Sequence, residues 1–254
     1  MSHASSQELT AYVPHGLIVT RAWLRGQGLS PHTLDNWRKS GRLEGVAHGV
    51  FKQPGMPLTW QGIVASLQRM GVALMPGGMT ALELHGLAHY VPLGAQQSVH
   101  LYGAHRLPLW VHSLLPQVRW VAHKGLSSQD QGVAFPSGLL GWELQVATPE
   151  RAVFEIMDEV PADVSFEHAD ALFQGLATLS PSRIAALLET YPSIKAKRLF
   201  LWFAQRHQHP WLSKLENRLL TLQTGHLGTG KRVLMKGGRL DPTYLITVPR
   251  DLHG

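Results

Sequence analysis

The tightest constraint on this chain is a helix with room for only nine residues, followed at once by a hairpin. In GLSPHTLDNWRKSGRLEGVAHGVFK, residues 28–52, Ser30 is a strong N-cap. Pro31 suits the first helical position, because its missing N–H would have no partner there anyway. Gly41 supplies a permissive stop. These signals predict a helix over Pro31–Lys39. Leu34 and Trp37, three apart, share a face that points into a core, while His32, Asn36 and Lys39 fall on the opposite, wholly polar side.

The flanks complete a motif. Upstream, Thr20 caps a helix of about two turns carrying Trp23 and Leu24, broken by Gly26 and Gly28, and an earlier helix is expected at about Ser6 to Val13. Downstream, Arg42 to Val46 and Gly49 to Lys52 are expected to pair across Ala47-His48 as a wing. A short helix with a polar outer face can enter a major groove, and such a hairpin can lie along the adjacent backbone. Winged helix units also serve as protein-interaction modules. Arg21, Arg25, Lys39, Arg42, His48 and Lys52 cluster around the proposed contact surface and favour phosphate as the partner.

Charge along the chain agrees. Residues 1–60 hold six Lys and Arg against three Asp and Glu, residues 61–193 hold six against eleven, and residues 194–254 hold eleven against three. The positive excess therefore sits at the two ends, which suits a polyanion partner or simple solubility. A chain of 254 residues has room for two domains. The absence of cysteine removes disulfides, thiolate metal sites and a cysteine nucleophile. No apolar run approaches the roughly 18 to 20 residues of a membrane span, and the polar start MSHASSQELT does not read as a signal peptide. A cytoplasmic protein is expected, with no membrane contact and no cofactor.

From Pro54 the pattern changes. PGMP reads as a linker and the boundary falls within it, giving a winged helix-turn-helix domain over residues 1–56 and a larger α+β domain over residues 57–254. LTWQGIVASLQRMG reads as a helix, and ALMPGGMTALELHGL as a Gly-rich loop running into another. Short strands are expected at about Ser98–Leu101, Gln117–Ala122 and Trp142–Val146, paired antiparallel. A helical block comes next: Thr148 to Glu159, about Phe166 to Leu176, Ser180 to Thr190, PSIKAKRLFLWFAQRH, and a shorter helix near Trp211–Leu220. KRVLMK and TYLITV should close the chain as paired strands around Gly237-Gly238.

Five segments together carry a resemblance: GLSPHTLDNWRKSGRLEGVAHGVF, GVALMPGGMTALELHGLAHYVPLG, TPERAVFEIMDEVP, IKAKRLFLWFAQRHQHPW and LGTGKRVLMKGGRLDPTYLITVP. In this order, over about residues 5 to 250, they resemble the AbiEi antitoxin family of abortive-infection, type IV toxin–antitoxin systems. The resemblance implies an N-terminal winged helix that binds inverted repeats of double-stranded DNA in its own promoter and represses the operon. It also implies a C-terminal domain that counteracts a cognate nucleotidyltransferase-like toxin, directly or indirectly. An alternative is a winged-helix regulator whose second domain senses an unrelated ligand or protein.

On the matching recognition helix, His32, Thr33 and Asn36 are candidates for base edges and Lys39 for phosphate. Arg21, Arg25, Arg42, His48 and Lys52 are the other phosphate candidates. In the second domain Lys195, Lys197, Arg198 and Arg206 are expected to project outward from the helix that buries Leu199 and Phe203. With Lys231, Arg232, Lys236 and Arg239 they form a candidate antitoxin surface, for toxin, for nucleic acid, or simply for water.

Other motifs fail on chemistry. Gly225-His-Leu-Gly-Thr-Gly230-Lys231 fits a phosphate-loop pattern, but Arg232 stands where a magnesium-binding hydroxyl is needed, and the residues after Arg232 are strand-like. His85 and His89 are four apart without the glutamate of a metalloprotease helix, and Gly86 interrupts them. Asp158 and Glu159 sit at a helix end before Pro161, and no Ser/His/Asp grouping is visible. A binding protein rather than an enzyme is expected, with no metal.

Overall fold

The computed structural model describes residues 2–88, 96–103, 106–124, 132–215 and 227–252. By contacts the chain groups into two units, residues 1–76 with 92–146 and residues 77–91 with 147–254. The architecture is α+β throughout.

The first unit begins with α1 (Ser2–Tyr12), β1 (Ile18–Thr20), α2 (Arg21–Gly26), α3 (Pro31–Lys39), β2 (Glu44–Ala47) and β3 (Val50–Lys52), the element order of a winged helix-turn-helix. Its local determinants are the ones the sequence advertises. The Ser30 hydroxyl accepts the Thr33 N–H at 3.0 Å, and the Thr20 hydroxyl accepts that of Trp23 at 3.2 Å. Each such cap contributes about 1 kcal/mol. Gly41, at φ +69°, turns the chain so that the N–H groups of Arg42 and Leu43 reach back to the Trp37 carbonyl at 2.9 and 3.1 Å. Leu34 and Trp37 then enter one core with Leu9, Val13, Val19, Leu24, Leu29, Leu43 and Phe51. Burying each large apolar side chain contributes about 1.5–3 kcal/mol, and this is what holds so short a helix in place.

β3 lies between β1 and β2, antiparallel to both, with Phe51 opposite Val19 and Gly45. The wing turn is His48-Gly49, one residue later than expected, because β2 extends to Ala47. The first helix starts at Ser2, earlier than the expected Ser6.

More chain packs onto this motif. In α4 (Trp60–Arg69) the Ser66 hydroxyl accepts the Ile18 N–H at 2.9 Å and donates to the Gly62 carbonyl at 2.6 Å. A Cβ at Gly62 would lie 2.3 Å from the Gly16 carbonyl oxygen, so only glycine permits this approach. β4 (Met75–Pro76), β5 (Ser98–Gly103) and β6 (Arg119–Lys124) form a second sheet, and β7 (Gly132–Pro136) pairs with β8 (Glu143–Ala147). β5 and β6 run parallel, with Ser98 opposite Arg119 and Gly103 opposite Lys124, where antiparallel pairing was expected. The reason is α6 (Leu109–Leu114), a crossover helix that returns the chain to the same end of the sheet.

The second unit contains α5 (Gly78–Leu84), α7 (Pro149–Glu159), α8 (Phe166–Gln174), α9 (Pro181–Thr190), α10 (Ile194–His207) and α11 (Pro210–Ser213), then β9 (Arg239–Leu240) antiparallel to β10 (Thr247–Val248). Thr148, Ser165 and Ser193 cap their helices with side-chain hydrogen bonds. The core is aromatic: Phe154 and Phe200 stack at 4.4 Å between centroids, and Phe173 and Phe203 at 5.1 Å. Buried Glu155 accepts the Gly78 N–H at 2.9 Å and pairs with Arg151 at 2.8 Å, tying α5 to α7. KRVLMK forms no full strand; it contributes a single bridge from Arg232 to Ile246, and Arg239–Leu240 takes the pairing with β10. The helix expected near Trp211–Leu220 is described only as α11, since residues 216–226 lie outside the described residues.

Candidate nucleic-acid interface

Three residues of α3 form its outward ridge. His32, Asn36 and Lys39 are all exposed and spaced four and three apart, which places them along one side of the helix. His32 Nε2 and Asn36 Nδ2 are 3.2 Å apart, so the Asn36 amide can donate to the His32 ring and each side chain orients the other. Thr33 is half-buried, and its hydroxyl lies 2.9 Å from that of Ser30, inside the helix cap.

Beside this ridge an open cleft of about 620 Å³ runs between α2, the end of α3 and the wing. Arg21, Arg25, Arg38 and His48 line it, and among the described residues no carboxylate does. Phe51 fixes two of these cations: the Arg21 and Arg38 guanidiniums lie 5.5 and 5.4 Å from its ring centroid. The acid paired with this group, among the described residues, is Asp35, 4.0 Å from Arg38 in a half-exposed, weak pair. A concave set of guanidiniums whose paired acid is this one weak partner suits phosphate oxygens, because the planar fork can bond two of them together.

Arg38 is the residue the sequence reading missed. It lies four residues after Leu34, at the margin of the apolar face, and lays its guanidinium over the Phe51 ring at the lining of the cleft. That flanking position was the available signal. Arg42 is half-buried and donates to Ser40 at 3.3 Å, outside the cleft lining. Lys52 does not belong with the phosphate candidates. Its side chain is 12% exposed, paired with Glu44 across the wing and donating to the Met56 carbonyl at 2.8 Å. A lysine so held supports the hairpin.

The basic group of the second unit needs a larger correction. α10 is buried continuously from Ala196 to Ala204, so it has no water-facing side over that stretch. Arg198, 2% exposed, donates to the carbonyls of Leu227, Gly228 and Gly230 at 2.8–2.9 Å and reaches that of Leu245 at 3.4 Å. Lys197, also buried, points to the Glu189 carbonyl at 3.3 Å. Lys195 donates to the Val160 carbonyl at 2.8 Å, and burial lowers its pKa. Arg206 pairs with Asp170 at 2.8 Å. Lys231, Arg232, Lys236 and Arg239 stay exposed, as does Arg206 beside its pair with Asp170.

The refused motifs also have places. Gly225 of the phosphate-loop pattern and His89 of the histidine pair lie outside the described residues. Residues 227–231 form an irregular loop clamped by Arg198 that leads to a β-bridge, not a helix. His85 Nε2 lies 3.0 Å from the Ala147 carbonyl.

Two family models match the chain. Residues 2–93 match the AbiEi antitoxin N-terminal domain of transcriptional regulators, and residues 96–249 match the model described as transcriptional regulator, AbiEi antitoxin, type IV TA system. Among solved structures, the Rv2827c protein from Mycobacterium tuberculosis is similar in fold, with a TM-score of 0.52 at 17% identity over 91% of this chain and 85% of that one. A search of curated proteins gave no significant match.

Proposed function

The chain belongs to the AbiEi antitoxin family, transcriptional regulators of type IV toxin–antitoxin systems, and from that premise we propose that it is an autorepressor with two working surfaces. The first binds inverted repeats in its own promoter through the winged helix of residues 1–56. His32 and Asn36 meet base edges, with Thr33 shaping the helix start. Lys39, Arg21, Arg25, Arg38 and His48 hold the phosphate backbone on either side. The observation that carries this reading is the exposed ridge of α3 standing beside a cationic cleft that no carboxylate lines among the described residues.

The second surface counteracts a nucleotidyltransferase-like toxin. Lys231, Arg232, Lys236 and Arg239 are its remaining candidates, since their α10 neighbours are engaged within their own unit. Among the described residues no helix is long and apolar enough to cross a membrane.

Operator binding by fluorescence anisotropy tests the first surface. Asn36→Ala with Lys39→Ala should weaken binding about 100-fold by removing one base contact and one phosphate contact, with the melting temperature unchanged. Unaltered affinity would remove α3 as the recognition helix. For the second surface, full-length protein carrying Lys231→Glu and Lys236→Glu should fail to rescue cells from a co-expressed toxin while still repressing its promoter. Full rescue would move the antitoxin surface elsewhere.

A further inference from the structure

Resting on the DNA-binding reading, we propose that α6, an element outside the winged helix, completes the duplex-binding surface, with Trp110 packed on a deoxyribose whose phosphate sits among Arg21, Arg25 and Arg38. The cleft is walled mainly by α2, α3 and the wing, but its remaining wall is Trp110. That side chain arrives from the crossover between β5 and β6 and is half-buried, leaving part of the indole open to the cleft. α6 lies against wing strand β2 in the same unit, which brings the indole to the cleft that the cations line.

The chemistry of the two walls is complementary. Guanidiniums braced on Phe51 bind phosphate oxygens without having to be ordered first. An indole offers an apolar body for the C–H edges of a sugar and one N–H for a phosphate oxygen. The opening of about 620 Å³ exceeds what a single phosphate group needs and admits the sugars on either side of it. A single-strand binder would need successive aromatic platforms, whereas this cleft presents one indole beside the exposed ridge of a helix suited to a major groove. Duplex backbone is the ligand that engages both features together.

The test compares wild-type protein, Trp110→Ala and Trp110→Phe on a duplex carrying the promoter inverted repeat and on an unrelated duplex of equal length. Trp110→Ala should lose about tenfold affinity on both duplexes, as truncating a buried interface tryptophan typically does. Its salt dependence should stay as in wild type, because no charge is removed. Trp110→Phe should recover most of the loss. Oxidative footprinting of the wild-type protein by mass spectrometry gives an answer independent of the variants' folding: Trp110 should be protected from oxidation when the duplex is added. Wild-type binding with Trp110 equally oxidised in both states, or with Trp110→Ala folded and binding normally, would overturn the role of α6 and leave the winged-helix reading standing. Wild-type protein that binds neither duplex would overturn both.

Discussion

Helix α3 carries Arg38 and Lys39 into solvent, whereas α10 turns Lys195, Lys197 and Arg198 toward carbonyl oxygens of its own unit. Both helices are basic, and both begin with a serine cap. They differ in how many of their sides are covered. α3 buries only Leu34 and Trp37, so its cations keep their hydration and are available to a polyanion. α10 is buried over nine consecutive residues, so a cation there must find an acceptor or lose its solvation uncompensated. Arg198 solves this with a fan of backbone carbonyls in the loop from Leu227 to Gly230. Cation content alone therefore does not identify a polyanion surface; the number of exposed sides does.

The largest effect expected from this contrast is at Arg198. Arg198→Ala should destabilise the protein by about 4 kcal/mol, since the buried Leu227 carbonyl and the partly buried carbonyls of Gly228 and Gly230 lose a charged donor at once. Urea unfolding would measure it, and a loss below about 1 kcal/mol, the scale of surface pairs, would return Arg198 to the surface. Next comes Glu155. Glu155→Ala leaves Arg151 buried without its carboxylate and removes the acceptor for the Gly78 N–H, at an expected cost of about 3 kcal/mol. Smaller again is Ser30→Ala, expected to cost about 1 kcal/mol by removing the cap on α3.

A pH titration sharpens the same contrast. His209 is buried, and desolvation holds its pKa below the ordinary value, with the neighbouring His207 adding in the same direction and the bond to the Phe173 carbonyl opposing both. As pH falls below about 6.5 the unfolded chain takes up a proton that the folded chain refuses. Stability should therefore decline with acid until the folded-state pKa is reached, and His209→Gln should flatten that decline. An identical decline in the variant would assign it to other groups.

Local signals made α3 legible. Ser30, Pro31 and Gly41 act within a few residues, so the helix bounds and the inward Leu34–Trp37 face could be read directly. The hairpin was readable too, apart from the one-residue shift of its turn to His48-Gly49. What the sequence hid depends on contacts between distant segments. Arg38 enters the cleft only because Phe51, on another element, supports it. Lys52 leaves the interface because Glu44 and Met56 claim its ammonium. The cations of α10 looked outward because an amphipathic helix was assumed, and nothing local announces that aromatic packing at Phe200 and Phe203 and the returning loop at Leu227 cover the remaining sides. The parallel pairing of β5 with β6 was hidden for the same reason, since a six-residue crossover helix decides it.

The salt dependence of promoter binding tests the central claim most directly. Removing Arg38 and Lys39 together by substitution to methionine should reduce the slope of log affinity against log salt by about 2, one for each phosphate that is no longer neutralised. Lys52→Met, which removes an engaged lysine from the same unit, should leave the slope unchanged. Equal slopes for wild type and the Arg38/Lys39 variant, or a Lys52→Met slope reduced as much as theirs, would contradict the account.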